Sequence, residues 1–213
     1  MATPNELNSN DKPEALSKRR GKDQEPDPSP LQLLDELLSG RRTVHQFETR
    51  AVPRELLREA LDLARFAPNH KHSEPWRFHL LGRRAIERVA SLNARLVRKQ
   101  KGEDVARKKL ERWLALPGML AITSCTSGDD IVRHQEDYAA CCCAAHNLSL
   151  ALWARGVGLK WTTGPFTRTQ EFHDILGLDM TERYAIGLFF YGYPSEVPDV
   201  RRKPLDDLLE LLD

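Results

Sequence analysis

Residues 138–145 read Tyr-Ala-Ala-Cys-Cys-Cys-Ala-Ala, a run without a single charge. It falls inside the longest helical stretch of the chain, Glu136 to Arg155. A helix that is apolar on all sides cannot lie on a wet surface. It must sit in a core or be covered by a second chain. The rest of the sequence has to supply that cover.

The flanking segments alternate between helical and strand-like patterns. Leu31, Leu33, Leu34, Leu37 and Leu38 form one side of a helix that stops at Ser39-Gly40, a usual C-terminal signal. Pro53 suits the first position of a second helix, with Leu56, Leu57, Ala60, Leu61 and Ala64 on its apolar side. Two charged helices are expected over Arg84 to Gln100 and Glu103 to Leu116, split by Gly102. Thr167 and Gln170 have capping-box spacing for another, running to Leu176. A closing helix is expected from Leu205 to Leu212. Short strands are expected at Phe78 to Leu81, Met119 to Cys125, Leu159 to Thr163 and Tyr184 to Tyr193. Helices outnumber strands, which predicts an α+β fold with a small central sheet wrapped by helices. No GxGxxG follows a strand and no GxxxxGK[ST] is present, so the dinucleotide and P-loop folds lose their main support.

Residues 1–30 differ from the body. They carry five prolines, no aromatic residue and few apolar side chains. Such a segment buries too little surface to offset its ordering entropy, and it reads as a disordered tail before a single domain over residues 31–213. Lys plus Arg numbers 32 against 31 Asp plus Glu, a net charge of +1, so no global positive field exists to hold a nucleic-acid backbone. No segment approaches the roughly 18–20 apolar residues needed to span a bilayer. The N-terminus lacks the apolar core of a secretory signal. Four cysteines, three of them adjacent, make no disulfide framework, so a cytoplasmic protein with reduced thiols is expected.

Five places could carry chemistry. Arg41-Arg42-Thr43 offers two forked donors and a hydroxyl suited to a phosphate, although two solvated arginines would look the same. The segment Ala67 to Phe78 holds His70, Lys71 and His72 in a polar turn between two prolines, and Pro75 should keep Glu74 extended. Its two histidines lack a supporting thiolate or carboxylate at metal spacing. Gly156 to Gly164 is a glycine-flanked strand whose amides, Trp161 indole and Thr162 and Thr163 hydroxyls suit a flat heterocycle; an ordinary core strand is the plainer alternative. Cys141, Cys142 and Cys143 turn about 100° apart on a helix and cannot converge on one metal. They read as small core side chains. Arg201-Arg202-Lys203 before Pro204 is a possible second anion contact.

Taken in this order, the segments resemble the nitroreductase family of flavin enzymes over about residues 31–210. The residues that carry the likeness are Arg41-Arg42-Thr43 with Phe47, Ala67-Pro68 through Pro75-Trp76-Arg77-Phe78, Gly156-Val157-Gly158, and Gly187 to Pro194. The Ala-Pro-Asn-His-Lys loop is most similar to the small, minimal branch of that family. The resemblance implies a homodimer with a central mixed sheet surrounded by helices, and one FMN in each of two shared interfacial sites. It implies NADH or NADPH as reductant and a ping-pong cycle. Hydride would pass through flavin N5 to a nitroaromatic, a quinone or a similar small-molecule acceptor, with no nucleic acid and no membrane involved. Carried over by position, Arg41, Arg42 and Thr43 hold the FMN phosphate and ribityl chain, with Arg202 as a further phosphate ligand. His70 reaches the flavin bound mainly by the other subunit, and Phe66 stands where one relative has arginine. Trp161, Thr162 and Thr163 run beside the isoalloxazine, and Ala151 to Gly156 matches a nicotinamide-nucleotide segment. Three positions depart from the pattern. His45 replaces a basic residue near the flavin pyrimidine, His72 replaces Asn, and Glu74 replaces Gln; these bear on redox potential and substrate choice. No protein nucleophile is implied. Two other functions fit the same likeness: a flavin dehalogenase, with the Arg84 to Leu116 helices as the only candidate lid, and a non-catalytic flavin-binding or redox-sensing module that uses the cysteines.

Overall fold

A computed structural model of the chain describes residues 28–212. The expectation for the N-terminal tail lies almost wholly outside that range. Within it, helix α1 (Pro28–Gly40) starts three residues before the expected boundary.

Four strands form one sheet in the order β1-β2-β4-β3. They are β1 (Arg77–Leu80), β2 (Gly118–Cys125), β3 (Gly158–Thr162) and β4 (Arg183–Gly192). All three pairings are antiparallel. The parallel component of the expected mixed sheet shrinks to one isolated bridge between Thr43 and Leu159, on the outer edge of β3. β2 and β4 are central and apolar along nearly their whole length, because both of their faces are covered.

On one face lie α2 (Arg54–Ala64) and α5 (Ile131–Trp153). Leu57, Ala60 and Ala64 of α2 meet Ala140, Cys141, Ala144, Leu148 and Leu152 of α5 over Leu120, Ile122, Phe189 and Tyr191. On the other face lie α3 (Arg83–Lys101), α4 (Glu103–Leu114) and α6 (Gln170–Leu176). Ile86, Val89, Trp113, Phe166 and Phe172 pack there against Met119, Leu188 and Phe190. The two charged helices proposed as a lid are therefore committed to a core layer.

The apolar run of α5 splits in two. Ala140, Cys141, Ala144 and Ala145 are buried, whereas Cys142 and Cys143 are half-covered and Tyr138 and Ala139 are exposed. One side of the run is core and the other is uncovered within a single chain.

Three local expectations change. The closing helix is only a 3-10 turn at Leu205–Asp207, and Leu208, Leu209, Leu211 and Leu212 stand in solvent. Eight residues are too few for a stable helix when nothing packs on them. The cap of α6 is Thr169, whose Oγ1 accepts from Phe172 N–H; the Thr167 hydroxyl donates to Gly164 C=O instead. Finally, Glu74 is not extended: its φ is 44°. Its N–H donates to Asn69 Oδ1 at 2.7 Å, which draws the residue into the turn despite Pro75.

Candidate functional site

The end of α1 lies against the end of α5: a Cβ on Gly40 would sit 3.8 Å from Trp153 Nε1. The chain leaving that corner is clipped to β3 by the Thr43–Leu159 bridge and by Val44 N–H donating to Leu159 C=O at 3.2 Å. Val44 is fully buried over Gly158, where a Cβ would come within 2.3 Å of it. The space left by that glycine thus admits Val44 rather than a ligand. Gly156, with φ 73°, ends α5 in a left-handed turn.

Three guanidinium groups gather beside this clip. Burial, and then the charges of Arg202 and Arg42, depress the pKa of Arg41. The structure thus brings Arg202 from the far end of the chain near Arg41. Arg42 Nη1 is spent on the carbonyls of Ser39 and Arg41, tying off the C-terminus of α1. Among the described residues no carboxylate pairs with Arg41 or Arg202. Thr43 leaves its side chain exposed next to them.

His45 turns to β3, where Lys160 Nζ lies 3.2 Å from its Nδ1. An ammonium can only donate, so Nδ1 accepts and the ring proton is on Nε2. Burial lowers the His45 pKa, followed by Lys160 and Arg112. Lys160 is itself lowered, by burial first and then by Arg112 and Lys109. The charge near this position therefore belongs to Lys160 and not to the histidine.

Trp161 lies flat on the sheet. Its indole stacks on Phe189, with ring centroids 5.1 Å apart, and Nε1 donates to Ile186 C=O at 3.2 Å. The pairing Ile122↔Gly187 and Thr123↔Ala185 makes Ile186 the extra residue of a β-bulge, which turns that carbonyl toward the indole. Gly187 is required there, since a Cβ would fall 2.1 Å from Trp161 Nε1. The outer face of the indole remains partly exposed, with Thr162 and Thr163 following it.

The second group, Phe66 with His70 and His72, is exposed at the start of β1. Arg65 covers the Phe66 ring at 4.6 Å. The turn beyond is strained: Lys71, His72 and Glu74 have φ of 56°, 51° and 44°. Left-handed backbone in residues other than glycine costs of order 1–3 kcal/mol each, and it persists only where the surroundings enforce it. Asn69 Nδ2 donates to Ser73 Oγ at 3.1 Å, and Ser73 Oγ donates to Asp137 Oδ1 at 2.6 Å. Asp137 is buried on α5 and escaped the sequence reading; its signal was a lone acid on the inward side of an apolar helix.

The two groups do not meet within one chain. The loop at residues 69–74 is held at Asp137 and the arginine corner at Trp153, opposite ends of α5. At about 1.5 Å per residue those anchors are about 24 Å apart.

Burial holds back two of the thiols, Cys141 and Cys142. Burial pushes Cys141 up to about 12, and burial also raises Cys142. Thiolate, the reactive form, is scarce at neutral pH under those conditions. Among the described residues no group of three or more His, Cys, Asp or Glu could hold a metal, and no helix is long and apolar enough to cross a membrane.

Residues 38–193 match the model of the nitroreductase family, and the chain belongs to that family. It is 29% identical over 181 residues to YfhC of Bacillus subtilis (strain 168), an NAD(P)H nitroreductase candidate by name, covering 82% of this chain and 92% of that protein. A nitroreductase-like family protein from Bacillus cereus superposes with a TM-score of 0.73 at 28% identity, over 91% of this chain and all of that one. The FMN-dependent nitroreductase NfnB from Mycobacterium smegmatis, solved in complex with NADPH, shares the fold at 17% identity, with a TM-score of 0.68 over 86% of this chain and all of NfnB.

Proposed function

We propose that this protein is an FMN-dependent NAD(P)H oxidoreductase of the nitroreductase type, acting as a homodimer on small-molecule acceptors such as nitroaromatics or quinones. One observation carries the reading: Arg41 and Arg202 lie near one another with no ion-paired acid among the described residues, beside an exposed hydroxyl and a partly open indole. That set suits a ligand with a dianionic end and a flat aromatic end. FMN is such a ligand.

In this reading Arg41, Arg202 and the Thr43 hydroxyl hold the phosphate through charge-assisted bonds. Arg42 stays on the helix end and adds charge without direct contact. Trp161, Thr162 and Thr163 border the ring. FMN held there would supply the hydride chemistry between a nicotinamide and the acceptor. The protein's part is to orient the ring, exclude water and set the local field. His45, held neutral with Nε2–H as a donor, contributes a hydrogen bond, and Lys160 contributes the positive charge.

The division of the site supports the dimer. Two copies related by a two-fold axis can set the His70 loop of one against the arginine corner of the other, which one copy cannot do. The uncovered side of α5, the α1 leucines and the C-terminal leucines supply the apolar area for it. A dehalogenase reading would need a lid, and α3 and α4 are occupied as core. A thiol-sensing reading would need a reactive cysteine, and burial suppresses Cys141. A cytoplasmic location fits four free thiols and a nicotinamide reductant.

The test is the visible spectrum of the purified protein, identification of the released chromophore, and anaerobic addition of NADH or NADPH. About one FMN per chain, bleached by either nucleotide and reoxidised by a nitroaromatic, is expected. A colourless protein that takes up no added FMN would sink the reading.

A further inference from the structure

Asp137 is the only carboxylate buried among the described residues. Its oxygens are engaged mainly by neutral donors. Ser73 Oγ donates to Oδ1 at 2.6 Å, Ser127 Oγ to Oδ2 at 3.2 Å and Cys125 Sγ to Oδ2 at 3.7 Å. The only ion pair is with the half-exposed Arg133, at 3.7 Å. A buried charge held mainly by hydroxyl and thiol donors is costly, and an apolar side chain would pack there more cheaply. Its retention asks for a reason beyond stability.

The segment above it supplies one. His70, Lys71 and His72 are exposed and bury nothing that could hold them. Three residues in the left-handed region, at Lys71, His72 and Glu74, would relax if left alone. The constraint comes from below, at two points. Ser73 links Asn69 to Asp137 in a relay of Asn69 Nδ2, Ser73 Oγ and the carboxylate. Pro75 C=O accepts from Cys125 N–H at 3.2 Å and from Arg183 Nη2 at 2.6 Å. The second bond set fastens the turn to the sheet. The tip itself is closed on Asn69, which accepts from Glu74 N–H at Oδ1 (2.7 Å) and from His72 N–H at its carbonyl (3.4 Å). The first bond set is what holds the Asn69 amide in place.

We infer that Asp137 is a positioning residue for the proposed ligand site: through Ser73 and Asn69 it locks the 69–74 turn so that His70 and His72 face the ligand held by the partner subunit. This rests on the flavin reading above for the identity of the ligand, but not for the lock itself. Asp137, buried beneath the turn, acts through Ser73 and Asn69 and not on the ligand itself. The lock raises the fraction of molecules with a competent turn, and apparent affinity scales with that fraction. If release leaves about a tenth of the turns competent, FMN binds about tenfold more weakly.

The experiment uses the full-length protein and two readouts. Hydrogen exchange of the 70–74 amides is measured without ligand. FMN is titrated into flavin-free protein and followed by quenching of its fluorescence. Ser73→Ala and Asp137→Asn should both speed exchange of those amides and weaken FMN about tenfold. Ser73→Thr, which keeps the hydroxyl, should restore both, and the double variant should be no worse than Asp137→Asn alone. Unchanged exchange in Ser73→Ala overturns the inference even if Asp137→Asn lowers the melting temperature, because Asp137 would then only support the core. A wild-type protein that binds no FMN defeats the flavin reading, while the exchange comparison still decides whether the lock exists.

Discussion

The two sides of α5 meet opposite fates. Its inward side, from Ala140 through Leu148 to Leu152, is fully enclosed by α2, β2 and β4. Its outward side, with Tyr138, Ala139 and the half-covered Cys142, is scarcely less apolar and faces open space, while Cys143 packs at the margin of the core. The inward side is complete within one chain. The outward side shares its incompleteness with the other unfinished parts: unpaired Arg41 and Arg202, the strained tip at His70–His72, and leucines exposed on α1 and at the C-terminus. Interiors show what a chain does for itself. Places where charge lacks an acid and apolar surface lacks a cover show what it needs from a ligand or a second copy.

The sharpest separation comes from one substitution on each side. Leu148→Ala opens a cavity where nothing is free to collapse, and a loss of about 2–5 kcal/mol is expected. Urea unfolding should record the lowered midpoint with the subunits already apart. Tyr138→Asp should leave the subunit folded and remove about 2 kcal/mol or more of association, as for a central aromatic anchor. Sedimentation velocity at micromolar protein reads this as a shift from dimer to monomer. An unshifted Tyr138→Asp would break the comparison, since the outward side would then be covered by nothing.

Arg41 tests the unpaired charges. Arg41→Gln keeps length and hydrogen bonding but removes the charge. Charge-assisted bonds contribute about 1.5–3 kcal/mol, so FMN affinity should fall by about 10- to 100-fold. Arg42→Gln should do less, because that guanidinium is turned back on Ser39 and Arg41. Equal losses from both would mean that Arg42 swings onto the ligand and that the present division of labour is wrong.

Much of this was legible in the chain. Periodicity located the four strands to within a residue or so, and the uncharged run at 138–145 marked a helix whose inward side is core. Arg41, Arg202, Trp161 and the His70 turn were visible because they are unusual residue types in loops or strand ends. What stayed hidden depends on partners distant in sequence. Asp137 reads as a surface acid until α5 is rotated against Ser73. Lys160 reads as an outward lysine on a strand until His45 is laid beside it. The glycine-flanked strand with Gly158 suggested room for a ligand, whereas Val44 takes the room at Gly158, and the space at Gly187 likewise goes to Trp161. The final leucines read as a helix by spacing alone, but spacing does not supply the surface against which a helix forms.

The smallest effect concerns His45 and follows from sign. Its pKa is depressed by burial and then by Lys160 and Arg112, so the folded protein binds its proton less readily than the unfolded chain does. Between the lowered folded value and the ordinary value of about 6.5, the unfolded chain carries more protons, and stability rises with pH there. His45 therefore imposes no penalty above about pH 6.5; a small one grows as pH falls from there to the folded value and is constant below it. The ring is exposed, so solvent screening keeps that penalty slight. NMR titration of the His45 ring should place its midpoint below the ordinary imidazole value, and Lys160→Gln should move it upward. A midpoint that ignores Lys160→Gln would show that the two bases do not interact, and the positive charge at this edge of β3 would have to be assigned to Arg112 and Lys109.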